Sequence, residues 1–150
     1  MTSDSSGSGP DLIERHFDEF TARELHDVLR LRTDVFVVEQ ECAYAELDGR
    51  DTEAGSLHVW IERDADIAAY ARRLTDPDGT HRIGRVVTHP GHRGRGLAAQ
   101  LVVHLRDTAS GPVALEAQSY LVGWYRGLGF EVAGDEYVED GIPHVPMALA

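Results

Sequence analysis

The sequence predicts an α+β fold, and three observations predict it. Apolar residues alternate with period two in several short stretches and recur at helical spacing in three others. Two alternating stretches are separated only by a tight turn, the pattern of an antiparallel hairpin. Near the middle of the chain, a strand passes through a Pro/Gly-broken turn directly into a helix.

The elements follow in order. Leu12 to Phe17 reads as a short strand. Thr21 to Glu24 is T-x-x-E, a capping box, so a helix starts near Ala22, with Leu25, Val28 and Leu29 at helical spacing. Val35 to Val38 is largely β-branched and extends a helix poorly, so the helix is expected to end near Thr33 to Val35. Glu39 to Gly55 has little periodicity and many acids, and is expected to be a long loop. Ser56 to Glu62 alternates, with Leu57, Val59 and Ile61 on one face and His58 and Trp60 on the other. After a turn at Arg63 to Asp66, Ile67 to Leu74 completes the hairpin. Arg82 to Thr88 is the next strand, and Gly94 to Thr108 a helix that buries Leu97, Leu101, Val102 and Leu105. Val113 to Ala117 is a strand, Ser119 to Gly127 a helix, and Phe130 to Ala133 and Val145 to Leu149 close the sheet, joined by an acidic loop. The order is β-α-β-β-β-α-β-α-β-β, with no repeat and no internal domain boundary. Residues 11–150 are expected to form one domain. Residues 1–10, Ser/Gly-rich, are expected to be a disordered tail.

Composition narrows the function. The chain carries 14 basic and 26 acidic residues, a net charge of −12, which argues against a nucleic acid or an anionic membrane as partner. From Gly79 to Arg106, however, there is no Asp or Glu, and Arg82, Arg85, Arg93, Arg95 and Arg106 form a basic island suited to a polyanionic cofactor. The single cysteine, Cys42, excludes an internal disulfide and is expected to be a buried, inert thiol. The N-terminus lacks the basic and apolar segments of a leader and no apolar run is long enough for a membrane span, so a cytoplasmic location is expected. His89 and His92 flank the Pro-Gly turn without a sequence-adjacent carboxylate or cysteine, and no metal site is expected.

The turn itself is the chemical signal. A helix N-terminus offers unpaired N–H groups and the positive end of the macrodipole, and glycines let a ligand approach the backbone. Arg93-Gly94-Arg95-Gly96-Leu97-Ala98 therefore reads as a phosphate or pyrophosphate site. A Walker loop is excluded, because the chain contains no lysine. A dinucleotide fingerprint is matched by Gly94, Gly96 and Ala99, with Glu116 about 20 residues on, but too little chain follows for a doubly wound sheet. A third reading, the pyrophosphate arm of coenzyme A, rests on the resemblance that follows.

RGRGLA fits the Q/R-x-x-G-x-G/A motif of the GNAT N-acetyltransferases, and the order of elements resembles their fold. WYRGLGF, Trp124 to Phe130, resembles the Y-x-x-x-G-F end of a late helix in that family, with Gln118 seven residues before Tyr125, where many members carry Asn. Leu31 to Asp51 and Glu139 to Met147 are similar to the ElaA-like subgroup, as are Ala69 to Leu74 and Ile83 to Val87. The chain departs from the subgroup at Tyr120, where a His is usual.

The resemblance implies a layered GNAT acyl-CoA N-acyltransferase fold, with a mixed, mostly antiparallel sheet of six to seven strands splayed at the cofactor site. It implies acetyl-CoA or coenzyme A as cofactor, held by Val86, Val87 and Thr88, by Arg93, Gly94, Arg95, Gly96, Leu97 and Ala98, and by Gln118. It implies direct transfer of an acetyl group to a primary amine of a small molecule or peptide, with Tyr125 protonating the leaving group. For the general base the sequence leaves Glu39, His58, Glu116 and His144; Glu39 and His144 are preferred, because they lie in the subgroup motifs. Arg32, Gln40, His58 and Asp48 are the expected acceptor contacts, and acids around them suggest a cationic acceptor. A non-catalytic module binding coenzyme A is the alternative. Either a monomer or a homodimer is compatible with the sequence.

Overall fold

The computed structural model describes residues 12–42 and 44–150. The expected tail, residues 1–10, lies outside them. One sheet of eight strands organises the chain. Its strands are β1 (Leu12–His16), β2 (Leu57–Arg63), β3 (Asp66–Thr75), β4 (His81–Thr88), β5 (Val113–Gln118), β6 (Phe130–Val132), β7 (Tyr137–Glu139) and β8 (Ile142–Leu149). The order across the sheet is β1-β2-β3-β4-β5-β8-β6, with β7 also paired to β8. Every pairing is antiparallel except β4 with β5.

The period-two pattern sets the two faces. Leu57, Val59 and Ile61 enter a core with Leu97, Leu101, Val102 and Leu105 of α2 (Leu97–Asp107). Trp60, Tyr70 and Val87 point to the other face, under Val28 and Leu31 of α1 (Ala22–Thr33) and Val35 beyond it. Each large aliphatic side chain fully buried here contributes roughly 1.5–3 kcal/mol of transfer free energy. The capping box at Thr21 forms as expected: Thr21 Oγ1 accepts from the Glu24 amide at 3.1 Å, and Glu24 Oε1 from the Thr21 amide at 3.0 Å. The short α3 (Val122–Arg126) follows a 3-10 turn at Ser119–Leu121.

Two elements differ from the sequence expectation. The first α-helix ends at Thr33, as expected, but the chain continues from it in a π-helical turn, Asp34–Glu39. Val35 packs with Trp60 and Tyr70, and this packing overrides the poor helix propensity of the run. The acidic connection before the last strand also contains β7, and β8 begins at Ile142 rather than Val145. The signal was present: Asp140 and Gly141 take φ of 53° and 77°, the left-handed pair of a two-residue hairpin turn.

Candidate active site

The site is a gap between two strands. β4 and β5 pair only through His81–Val113, Arg82–Ala114 and Ile83–Leu115. Beyond Ile83 they part, leaving the rest of β4 with its β3 partner alone. β4 also carries one surplus residue: Tyr70 faces Val87 while Arg72 faces Gly84, and Arg85 lies within the irregularity at φ 53°. A bulge of this kind bends a strand and re-aims its side chains.

Two cavities open from the gap. The larger, about 600 Å³, takes in residues 86–88 of β4, the glycine loop at residues 93–98, and Gln118. The smaller, about 280 Å³, lies on the side of β7 and β8. Phe36, Gln40, Val86, Gln118, Leu121 and Tyr125 line both.

The glycine loop forms one wall of the larger cavity. Gly94 and Gly96 take φ of 80° and 72°, and a Cβ on either would meet no protein atom within 4 Å. Gly96 is the N-cap of α2 and supplies no side-chain cap. The helix ladder begins with the Gln100 amide donating to Gly96 O at 3.2 Å, so the preceding amides have no intrahelical acceptor. A helix start of this kind can accept an anion. Arg93 closes its mouth, donating to both carboxylate oxygens of Glu39 at 2.6 and 2.7 Å. That guanidinium holds the Glu39 carboxyl below the usual carboxylate range.

Under the turn, His92 meets Asp66, which the sequence reading had not placed beside the two histidines; Asp66, His89 and His92 bring ligand atoms within 4.8 Å of one another. Hydrogen bonds occupy three of the four ring nitrogens. His89 Nδ1 accepts from the Gly91 amide at 2.9 Å, and Arg95 Nη1 donates to His92 Nδ1 at 3.2 Å. The proton of His92 therefore sits on Nε2, which donates to Asp66 Oδ2 at 3.0 Å. The cluster braces the turn.

Behind the smaller cavity stands a closed ring of alternating charges, of which Asp48, Arg72 and Arg85 line the cavity itself. Arg32 bonds Glu46 at 2.5 Å, Glu46 bonds Arg85 at 3.0 Å, and Arg85 reaches Asp48 at 3.4 Å. Asp48 bonds Arg72 at 2.5 Å, Arg72 bonds Asp51 at 2.9 Å, and Asp51 returns to Arg32 at 2.9 Å. Burial opposes ionisation of Asp48 and Asp51, but hydrogen bonds from Arg72 to Asp48 and from Arg32 to Asp51 outweigh it, and both lie below the usual carboxylate range. Tyr44 donates to Glu46 from above, its ring under the Arg85 guanidinium.

This ring revises part of the sequence reading. Arg32 is 0% exposed and His58 1%, and neither lines a cavity. His58 Nε2 donates to Asp51 O at 3.2 Å and its Nδ1 accepts from the Tyr70 hydroxyl at 2.6 Å, while burial pushes its pKa down. Both brace the wall and have no direct path to an acceptor. Asp48 does line the smaller cavity, with its charge committed to the ring. The basic island divides as well: Arg93 and Arg95 line the larger cavity, whereas Arg82 and Arg85 turn to the smaller one and meet acids there.

Tyr125 stands where the cavities join, 6% exposed, with no hydrogen-bond partner for its hydroxyl among the described residues. Burial raises its pKa above the ordinary tyrosine range, so it keeps its proton at neutral pH. His144 lines the smaller cavity opposite Gln118. Its Nδ1–H donates to Ile142 O at 2.8 Å, which leaves the neutral ring's lone pair on Nε2. Tyr137, which the sequence reading left in a loop, stacks on that ring at 5.7 Å and donates to Glu116 Oε1 at 2.8 Å.

The family model described as acetyltransferase (GNAT) domain matches residues 19–150. The chain belongs to the GNAT family. Within it the chain falls in the ElaA-like subgroup: protein ElaA of Escherichia coli is 36% identical over 140 residues, 89% of this chain and 92% of ElaA. The crystal structure of E. coli ElaA superposes with a TM-score of 0.86 at 34% identity, covering 93% of this chain and 98% of that one. An acyl-CoA N-acyltransferase from Pseudomonas aeruginosa gives a TM-score of 0.86 at 40% identity, covering 93% of this chain and 99% of that one. The fold extends to an aminoglycoside 6'-N-acetyltransferase complexed with coenzyme A, at a TM-score of 0.68 and 12% identity, with 91% of this chain and 95% of that one covered. The mixed sheet splayed between β4 and β5 is thus the GNAT fold, here with eight strands rather than six to seven. Among the described residues, no helix is long and apolar enough to cross a membrane.

Proposed function

We propose that this GNAT protein is an acetyl-CoA-dependent N-acetyltransferase, passing the acetyl group directly to a primary amine of a small molecule or peptide. The observation that carries this reading is the meeting of two cavities at Tyr125, in the gap between β4 and β5. The larger cavity fits coenzyme A in its chemistry. Exposed amides at the start of α2, beside Arg93 and Arg95, suit a pyrophosphate, and the unpaired edge of β4 at residues 86–88 suits amides added in the manner of a strand. Gln118, at the end of β5, faces the same space. A fold neighbour solved with coenzyme A supports the assignment.

Acetyl-coenzyme A would supply the acyl thioester at the gap, with coenzyme A as the leaving thiol. The protein's own groups do the rest. The junction holds amine and acyl group together, and such positioning accounts for much of the rate in a bimolecular transfer. Backbone N–H groups near Thr88 stabilise charge developing on the acyl oxygen. Tyr125, protonated and without another partner, releases its proton toward the leaving group. His144 accepts the amine proton at Nε2. Glu39 is the weaker base, because its ion pair with Arg93 holds it ionised. Gln40 and Asp48 stand on the acceptor side, within or beside the smaller cavity.

The test is calorimetric titration with coenzyme A, followed by thiol release from acetyl-CoA across a panel of primary amines. Saturable binding and amine-dependent release are expected, and Tyr125→Phe should slow turnover by about 10²–10⁴-fold with coenzyme A affinity unchanged. Binding without release for any amine would favour the non-catalytic module. No binding would remove the cofactor and every role built on it.

A further inference from the structure

The mouth of the larger cavity contains a contact that no transfer chemistry uses. Glu39 is the last residue of the π-helical turn and Arg93 begins the glycine loop, 54 residues later. Their contact is bidentate, at 2.6 and 2.7 Å, and Arg93 Nε donates back to Thr88 O at 3.3 Å. Both side chains are about half exposed, at 43% and 44%, and both line the cavity. Two carboxylate oxygens on one guanidinium reproduce the face a phosphate would present to it. Arg95, the loop's other arginine, bonds His92 rather than an acid. The turn that Glu39 ends also carries Phe36, and Gln40 follows it; both line the two cavities.

Building on the cofactor reading above, we infer that Glu39 and a cofactor phosphate compete for Arg93, so that the Glu39–Arg93 contact is exchanged for a phosphate contact when the cofactor binds. The exchange requires no loss of a buried contact, since the pair faces solvent. Once Arg93 turns to phosphate, the end of the π-helical turn is no longer tied to the glycine loop through this contact. Glu39 is a positioning residue in this scheme.

The test compares coenzyme A with pantetheine, which carries no phosphate, by titration calorimetry on the full chain. Glu39→Gln keeps the side-chain shape and removes the competing charge. An exposed pair is weak, so a gain of about two- to fivefold in coenzyme A affinity is expected. Pantetheine affinity should not change. In an Arg93→Gln background, the gain from Glu39→Gln should shrink, because no guanidinium is left to exchange. Unchanged or weaker coenzyme A binding by Glu39→Gln overturns the exchange, as does an equal gain for pantetheine. Failure of the unaltered protein to bind coenzyme A is distinguishable from both, and removes the cofactor reading with the exchange that depends on it.

Discussion

The two cavities that meet at Tyr125 are made of different material. The larger one draws much of its lining from one short stretch, the end of β4 and the glycine loop, where the backbone amides at the start of α2 have no intrahelical acceptor. The smaller one is backed by side chains on α1, the loop that follows, β3 and β4, balanced in a ring of three arginines and three carboxylates. A backbone site depends on local conformation and tolerates change elsewhere. A side-chain ring depends on the whole fold, and the fold in turn depends on it. The difference predicts where each half fails.

The largest effect should come from opening the ring. Arg32→Met takes a fully buried partner from Glu46 and Asp51, 5% and 7% exposed, and leaves them only Arg85 and Arg72. Breaking a buried pair in this way costs about 3–5 kcal/mol, read from denaturant or thermal unfolding. If the variant folds, the larger cavity should bind coenzyme A as before; a parallel loss of cofactor affinity would mean that the two halves are not independent.

Next comes His144→Asn, which removes the Nε2 base but keeps a polar side chain. Amine-dependent turnover should fall by about 10²-fold or more with coenzyme A affinity unchanged, and an undiminished rate would pass the base role to water or Glu116. Gly96→Ala addresses the other half. A left-handed φ of 72° costs an L-residue about 1–2 kcal/mol, and the new methyl enters the space open to a ligand. Coenzyme A affinity should weaken by about tenfold, with only a small drop in melting temperature.

The mildest probe is acid. Asp48 and Asp51 have folded pKa values below those of the unfolded chain. Their contribution is complete above the unfolded value of about 4 and is lost as pH falls through the lower folded values. Melting temperature should therefore hold on acidification from neutrality to about pH 5 and decline below about pH 4. Arg32→Met, its ring already open, should show a shallower decline over the same window.

The same contrast explains what could be read in advance. The capping box at Thr21, the period-two strands and the glycine loop are all local patterns, and the ten residues expected at the cofactor side do line one cavity. Tyr125 was legible through the resemblance of Trp124 to Phe130 to the family's helix end. Arg32 and Asp48 were legible as important but not as partners of a wall, because charge pairing across 14 to 39 residues leaves no periodic trace. Asp66 was missed beside His92 for the same reason, at a separation of 26 residues. Tyr137 was missed for a different one. The Asp140-Gly141 turn marked its hairpin, but the surrounding acids obscured the alternation of the strand.

The ring also bears on how the chain folds. Its six members come from α1, the following loop, β3 and β4, so it cannot close until the helix has docked on a sheet that already holds β3 beside β4. Bonds that close last are absent from the folding barrier. Arg32→Met should therefore leave the folding arm of a chevron plot nearly unmoved and raise the unfolding arm, so that the ring governs how long the native state persists rather than how fast it is reached.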